Sequence, residues 1–393
     1  MLIREPLVHA TYFYLRETPG SNPTRRQEWH DLFVTDTQRI VQSVAGWLAL
    51  PAPTLPAIPL WEAQPPLMPQ PLMQTGELQG RTNASAWFTA YALRNMLLLR
   101  VVVSRPGEHE QAVWSMLDEA SGIQSNAESW LHTTRYWCGM APRTPDELNH
   151  EHSQPIKAPF GVLCLGWNAS PHLLVYPDAK TEARAVLFLK SLAAQLDWYP
   201  VQARHLLGQY ETRSFIATRN QQTALEHVAQ SVQEWGAPTR RNRMRSLSPL
   251  QSELDTLERT YGDILTDRTS TEAASHEVRA LMAEYRLALL QNGLWDSAPT
   301  AWEAQIAGLA VIQQRIEADV QHIDVMLRRT ELLLQGLQTR VTLLQSERER
   351  LLIYLVMLIG LAVLTVLIAD TDLALIVVRL LGLLLVGGIV WAA

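Results

Sequence analysis

The chain has 393 residues, a formal net charge of −6 and a pI near 6.0. That length predicts two or three folded units, and the acidic balance gives no reason to invoke a nucleic acid partner. Two cysteines, Cys138 and Cys164, describe no disulfide framework and suit a reducing compartment.

The first six residues, Met1-Leu2-Ile3-Arg4-Glu5-Pro6, hold no long apolar core and no small-residue cleavage site, so no signal peptide is expected. Residues 7–15 (LVHATYFYL) are aromatic and β-branched, as a strand should be. Residues 29–50 show helical spacing through Leu32, Ile40, Val44 and Trp47. Eight prolines between Pro51 and Pro71 then forbid helix and inner strand alike, which predicts an extended surface segment. Residues 86–93 and 97–104 read as strands around Arg94-Asn95, and residues 108–121 as a helix started by Pro106-Gly107. Residues 160–167 (FGVLCLGW) and 172–176 (HLLVY) are strand-like; residues 185–196, 201–210 and 221–235 look helical. Strands and helices do not alternate strictly, which favours an α+β head over a doubly wound parallel sheet. Ten of the thirteen tryptophans precede residue 236, so Trp is the main large core filler expected there, with an aromatic ligand-binding surface as the alternative.

Residues 236–247 form a basic linker with Arg240, Arg241, Arg243 and Arg245, and with nothing to bury. Three helix starts follow it, at Ser248-Pro249-Leu250-Gln251, Thr269-Ser270-Thr271-Glu272 and Thr300-Ala301-Trp302-Glu303. In each, side chains can satisfy orphaned backbone amides. Asn292-Gly293 supplies a left-handed stop for the second helix. From Ile306, alternating steps of three and four mark a heptad stripe through six heptads to Leu351, broken only by Gln313, Thr330 and Arg348. Gln313 and Thr330 are the polar core positions of this coiled coil. Its partners are the two preceding helices, copies of itself, or both.

The end of the chain is almost pure hydrocarbon. Residues 351–369 and 373–393 flank the turn Asp370-Thr371-Asp372, and each run approaches the length needed to cross roughly 30 Å of bilayer at about 1.5 Å per residue. Arg348 and Arg350 precede the first run, so the positive-inside rule puts the head on the cytoplasmic side. Arg379 stands seven residues into the second run, two helical turns beyond Asp372. It reads as a paired, snorkelling arginine or, in an oligomer, as part of an anion-favouring pore mouth. Asp370 lies at the same end.

Catalytic chemistry is hard to find. His150-Glu151-His152 lacks the four-residue His spacing of a zincin helix, and no Cys-x-x-Cys, Walker loop or GxGxxG occurs. No catalytic, metal or cofactor residue is therefore expected, and the two thiols read as buried and inert.

A helical stalk entering a bilayer through a C-terminal hairpin resembles the CorA-type ion transporters in outline. That family carries Gly-Met-Asn at the end of its first span, where this chain has Ala369-Asp370-Thr371, so magnesium selectivity is not carried over. The head, with Val8-His9-Ala10-Thr11-Tyr12-Phe13-Tyr14 and His172-Leu173-Leu174-Val175-Tyr176-Pro177-Asp178, is similar to the CATRA family. These are caspase- and TPR-repeat-associated proteins of bacterial conflict systems. The similarity covers about the first 235 residues together with the helical and membrane tail. It implies a caspase-like protease and a TPR protein as partners, a role in antiviral or suicide defence, and no catalytic residues to transfer. It also gives the arginine-rich linker a second meaning, as a protease cleavage site that frees the stalk. An intact linker during an otherwise active response would dispose of that idea.

The sequence thus predicts an α+β cytoplasmic head (1–235), the basic linker, an all-α coiled-coil stalk of three helices (248–350) and a two-helix transmembrane hairpin (351–369 and 373–393). The expected location is the bacterial inner membrane, with head and C-terminus cytoplasmic. The expected function is that of an oligomeric, membrane-anchored effector or adaptor of a conflict system. It would work with a caspase-like protease and permeabilise the lipid bilayer. A CorA-like channel and a tethered enzyme head are the alternatives.

Overall fold

The structure is a computed structural model describing residues 2–16, 23–51, 53–60, 66–80, 83–122, 124–125, 127, 129–141, 155–166, 171–234, 247–296, 299–368 and 382. The chain divides into two compact units: Met1–Leu207 with Glu277–Gln313, and Gly208–His276 with Gln314–Ala393.

The first unit is built on a mixed sheet of ten strands among the described residues. They are β1 (Leu2–Leu15), β2 (Gln70–Gln74), β3 (Leu78–Gln79), β4 (Ser85–Leu93), β5 (Met96–Ser104), β6 (Glu108–Glu110), β7 (Trp130–Met140), β8 (Ile156–Ala158), β9 (Gly161–Cys164) and β10 (His172–Tyr176). Their order is β2-β4-β5-β1-β7-β10-β9-β8, with β3 beside β4 and β6 beside β1. Only β7 and β10 pair in parallel among these described strands. The described helices of the whole chain are α1 (Pro23–Trp47), α2 (Ala112–Ser121), α3 (Ala179–Phe188), α4 (Ala194–Glu234), α5 (Leu247–Gln291) and α6 (Pro299–Ile368).

Side chains alternate across each strand, so β1 serves two cores. Val8, Ala10, Tyr12 and Tyr14 pack with Phe33, Ile40 and Val44 of α1 and with Trp114 and Leu117 of α2. Leu7 and Phe13 belong to the opposite core, with Phe188 of α3, Leu196 and Tyr199 of α4, Tyr285 and Leu289 of α5, and Trp302 and Ile306 of α6. Helices cover both faces, which is why β1 and β5 are buried almost end to end. On the first face, Tyr14 donates to Asp36 Oδ2 at 2.7 Å, Ser125 donates to the same oxygen, and Arg39 pairs with Oδ1 at 2.8 Å. A buried carboxylate supplied with this many donors ties α1 to the sheet.

The β4–β5 hairpin turns on Arg94-Asn95, with Leu93 opposite Met96. Arg94 sits at φ +49°, the left-handed conformation such a short loop needs. Its guanidinium lies 4.2 Å from the Trp198 ring centroid and 2.8 Å from Glu284, so contacts with α4 and α5 hold it there.

Residues 108–121, expected as one helix, divide into β6 and α2, because Glu108–Glu110 first pairs with the end of β1. Strand β7 has no counterpart in the sequence reading, although it is the eleven-residue neighbour of β1. The helices expected over 185–210 belong to one helical run from Ala179, interrupted by a π turn at Leu189–Ala193 and carrying Pro200 within α4.

The second unit consists of helical segments. Val228 of α4, Leu250 and Leu257 of α5, and Leu337 and Val341 of α6 form one buried cluster; Ile264, Ile323 and Met326 form another. Ile316, Ile323, Thr330 and Leu337 are buried at successive sevens along α6, following the heptad register. Thr330 is fully buried, and its hydroxyl donates to the Met326 carbonyl at 2.8 Å, so it asks nothing of a facing helix. Gln313, in the first unit, is half-buried. The helix start expected at Thr269 is not used. Helix α5 runs through it, and the Thr269 hydroxyl donates to the Leu265 carbonyl at 2.9 Å. Two helices therefore follow residue 247 among the described residues, where three were expected. Gly293, at φ +65°, is the left-handed stop.

The C-terminal expectation is corrected. Among the described residues, no helix is long and apolar enough to cross a membrane. Beyond Arg350, α6 continues uncharged to Ile368, about 27 Å of helix against the roughly 30 Å of a hydrocarbon core. The second run, 373–393, lies outside the described residues apart from Gly382, as do Asp370, Asp372 and Arg379. The transmembrane hairpin, and with it the placement in the bacterial inner membrane, is withdrawn. The architecture in its place is a mixed ten-stranded sheet followed by a long C-terminal helix.

Candidate ligand-binding site

A cavity of about 80 Å³ opens in the first unit on the face of the sheet beneath α4. Strand alternation supplies its floor: His132, Thr134 and Tyr136 of β7 share one face, and His172 of β10 lies opposite Tyr136 in the register. Helical periodicity supplies a wall, since Asp197, Pro200, Val201 and Arg204 fall on one face of α4. Leu163, Leu165 and Phe188 add apolar surface, and Tyr285 and Trp302 bring two further rings from α5 and α6.

Asp197 is the centre of the arrangement. It is buried, and its Oδ1 accepts from the Tyr136 hydroxyl at 2.9 Å while Oδ2 accepts from the Thr134 hydroxyl at 2.8 Å. Burial pushes its carboxyl up to about 7; the Thr134 and Tyr136 hydrogen bonds pull the other way and only partly offset it. His172 Nε2 stands 4.0 Å from Asp197 Oδ1. Its Nδ1 accepts from the Gly166 amide at 2.9 Å, which puts the proton of the neutral ring on Nε2, toward the carboxylate. Tyr136 is held well above the usual phenol range by burial and then by Asp197.

His132 stands nearer the mouth. Burial, followed by the charges of Arg204 and Arg135, lowers it to about 4, so the ring is neutral near pH 7 and accepts from Arg204 Nη1 at 3.4 Å. A π turn precedes Asp197, and Pro200, which has no backbone N–H to donate, follows it within α4. π turns inside helices recur at functional positions. Here the Lys190 carbonyl in the π turn accepts from Arg100 Nη1 at 3.1 Å.

Polar groups continue inward from the cavity along the sheet. The registers align Arg100, Thr11 and Thr134 across β5, β1 and β7, and His9, Tyr136 and His172 across β1, β7 and β10. His9 is buried, and neither ring nitrogen has a hydrogen-bond partner among the described residues. Burial and then the Arg100 charge hold it well below the usual imidazole range. Orphaned polar atoms in a core are uncommon enough to require a reason.

None of the candidate site residues of the sequence reading enters this cavity, although His172 and Trp302 were named there as parts of a family motif and of a helix start. Gln313 and Thr330 lie along α6, while Arg240, Arg241, Arg243 and Arg245, like His150 and His152, lie outside the described residues. Asp197, Tyr136 and His132 were missed, and His172 was not read as a site residue. One signal was present: Asp197 is a lone carboxylate in the apolar run LAAQLDWYPV, and a polar residue on a buried face is the informative exception. Among the described residues, no group of three or more His, Cys, Asp or Glu is placed to hold a metal ion. No protein-family model, curated protein or solved structure matches the chain.

Proposed function

We propose that this chain is a non-enzymatic adaptor that binds a small organic ligand in the Asp197 cavity and acts through partner proteins. Following the CATRA resemblance, those partners are a caspase-like protease and a TPR protein of a bacterial conflict system. The observation that carries the binding role is an ionisable carboxyl kept in a buried cavity, with oriented hydroxyl donors, where an apolar residue would be more stable. Binding is favoured over catalysis because the described residues lining the cavity include no serine, cysteine or lysine, and the Thr134 and Tyr136 hydroxyls are committed to Asp197. The thiol of Cys138, two residues along β7 from Tyr136, is buried and its pKa is pushed well up. Self-association belongs to the same reading, since Leu332 and Leu343 on α6 are exposed.

The test is a thermal-shift screen of the full chain against small metabolites, repeated with Val201→Phe to fill the cavity. A hit lost in the variant, at unchanged fold, supports the reading. Hits unaffected by the filled cavity refute it.

A further inference from the structure

We propose that the cavity seats the ammonium end of a small primary amine whose other end is acidic and reaches Arg204. The proposal rests on the reading that this cavity binds a ligand, and it adds the chemical class.

The carboxylate sets the inner end. Each Asp197 oxygen accepts one hydroxyl, from Tyr136 or Thr134, and a carboxylate has about four acceptor directions. The remaining lone pairs face a cavity that Asp197 itself lines. A primary ammonium brings three donors to such a place. An anion there would meet the carboxylate head-on, and an uncharged group would leave its charge faced only by His172 Nε2 at 4.0 Å. The walls agree, because Tyr136, Phe188, Tyr285 and Trp302 surround the same space and aromatic rings accept a desolvated cation on their faces. Size narrows the class further. At about 80 Å³ the cavity is roughly half of one that admits benzene, which suits the unbranched end of a chain and excludes a bulky quaternary head.

Arg204 sets the outer end. It lies seven residues beyond Asp197, two turns along the same face of α4 and about 10 Å away by helical rise. Its side chain is exposed, and its bond to neutral His132 is long, at 3.4 Å. A ligand carboxylate can replace that bond with a charge-assisted pair.

Isothermal titration of the full chain at about pH 8 uses three probes of equal length: δ-aminovalerate, n-pentylamine and valerate. The expected order of affinity is δ-aminovalerate, then pentylamine, then valerate. Asp197→Asn should weaken both amines by about tenfold or more, while Arg204→Gln, an exposed change that spares the fold, should reduce δ-aminovalerate to the level of pentylamine. Valerate binding as tightly as δ-aminovalerate overturns the proposed class. So does silence from all three probes while another compound still binds in a manner sensitive to Val201→Phe, and in both cases the cavity remains a ligand site. Loss of every Val201-sensitive ligand refutes the parent reading instead.

Discussion

Replacing Asp197 with Asn should stabilise the protein at alkaline pH and leave it nearly unchanged in acid. The carboxyl is raised from its ordinary 3.8 to about 7. Between those values the folded protein retains the proton that the unfolded chain has lost, so the folded state binds more protons and stability falls as pH rises. Above pH 7 the full cost of an ionised, buried carboxylate is present, on the order of 4 kcal/mol at 1.36 kcal/mol per pH unit. Any water in the cavity reduces that figure. Asparagine keeps the shape: its carbonyl can accept from Tyr136, and its amide can donate to the Thr134 oxygen. The groups facing Asp197 are His172 of β10, Tyr136 and His132 of β7, Arg204 on α4 itself, and Tyr285 of α5. Urea unfolding of wild type and variant at about pH 3.5, 5 and 8 reads the effect, with near coincidence at about pH 3.5, a variant advantage of about 1.6 kcal/mol at pH 5 and the full difference at pH 8. A stability difference independent of pH would refute the buried-charge argument.

Other substitutions probe the frame around the site. Tyr14→Phe removes a donor from buried Asp36 and should cost about 1–3 kcal/mol in urea unfolding; no loss would mean that Ser125 and Arg39 suffice. His9→Leu removes two orphaned ring nitrogens and should raise the neutral-pH midpoint, by something on the order of 1 kcal/mol. It should also flatten the acid limb. Below the ordinary imidazole value of 6.5 the unfolded chain takes up a proton that buried His9 refuses, so wild-type stability falls with pH there. Gly161→Ala should lower the melting temperature by several degrees. Gly161 sits at φ +129°, and an added Cβ would stand 2.5 Å from the Val175 carbonyl oxygen in the neighbouring strand.

Local periodicity made some of this structure legible. The aromatic and β-branched run LVHATYFYL marks β1, Arg94-Asn95 marks the β4–β5 hairpin, and sevenfold spacing marks the buried stripe of α6. Strand β7 escaped notice because His132, Thr134 and Arg135 break its apolar alternation, although its Thr, Tyr and Trp residues suit a strand. Those same polar residues give it the cavity. The site was not legible because no local pattern joins residue 136 to 172 and 197; the parallel β7–β10 register and the helical run after β10 do so. Thr269 shows the opposite error. A capping signature is satisfied as readily by a hydroxyl bonding back to the carbonyl four residues earlier, and there it stops nothing. At the C-terminus, the heptad stripe running unbroken into the apolar run marks the single long helix that begins at Pro299, whereas counting uncharged residues placed a span where, among the described residues, no helix is long and apolar enough to cross a membrane.

Strand β1 carries two frames of information on one backbone. Even positions from Val8 to Tyr14 anchor α1 and α2, while odd positions place His9 and Thr11 beneath α4. A single inserted or deleted residue between Leu7 and Phe13 would exchange the two sets, burying Tyr14 where the cavity is built and turning His9 toward Phe33. The register irregularities with β7 fall outside that window, between Arg4 and Leu7 and between Phe13 and Tyr14. Length variation among related chains should therefore collect at those two seams, while the seven residues between them behave as a reading frame.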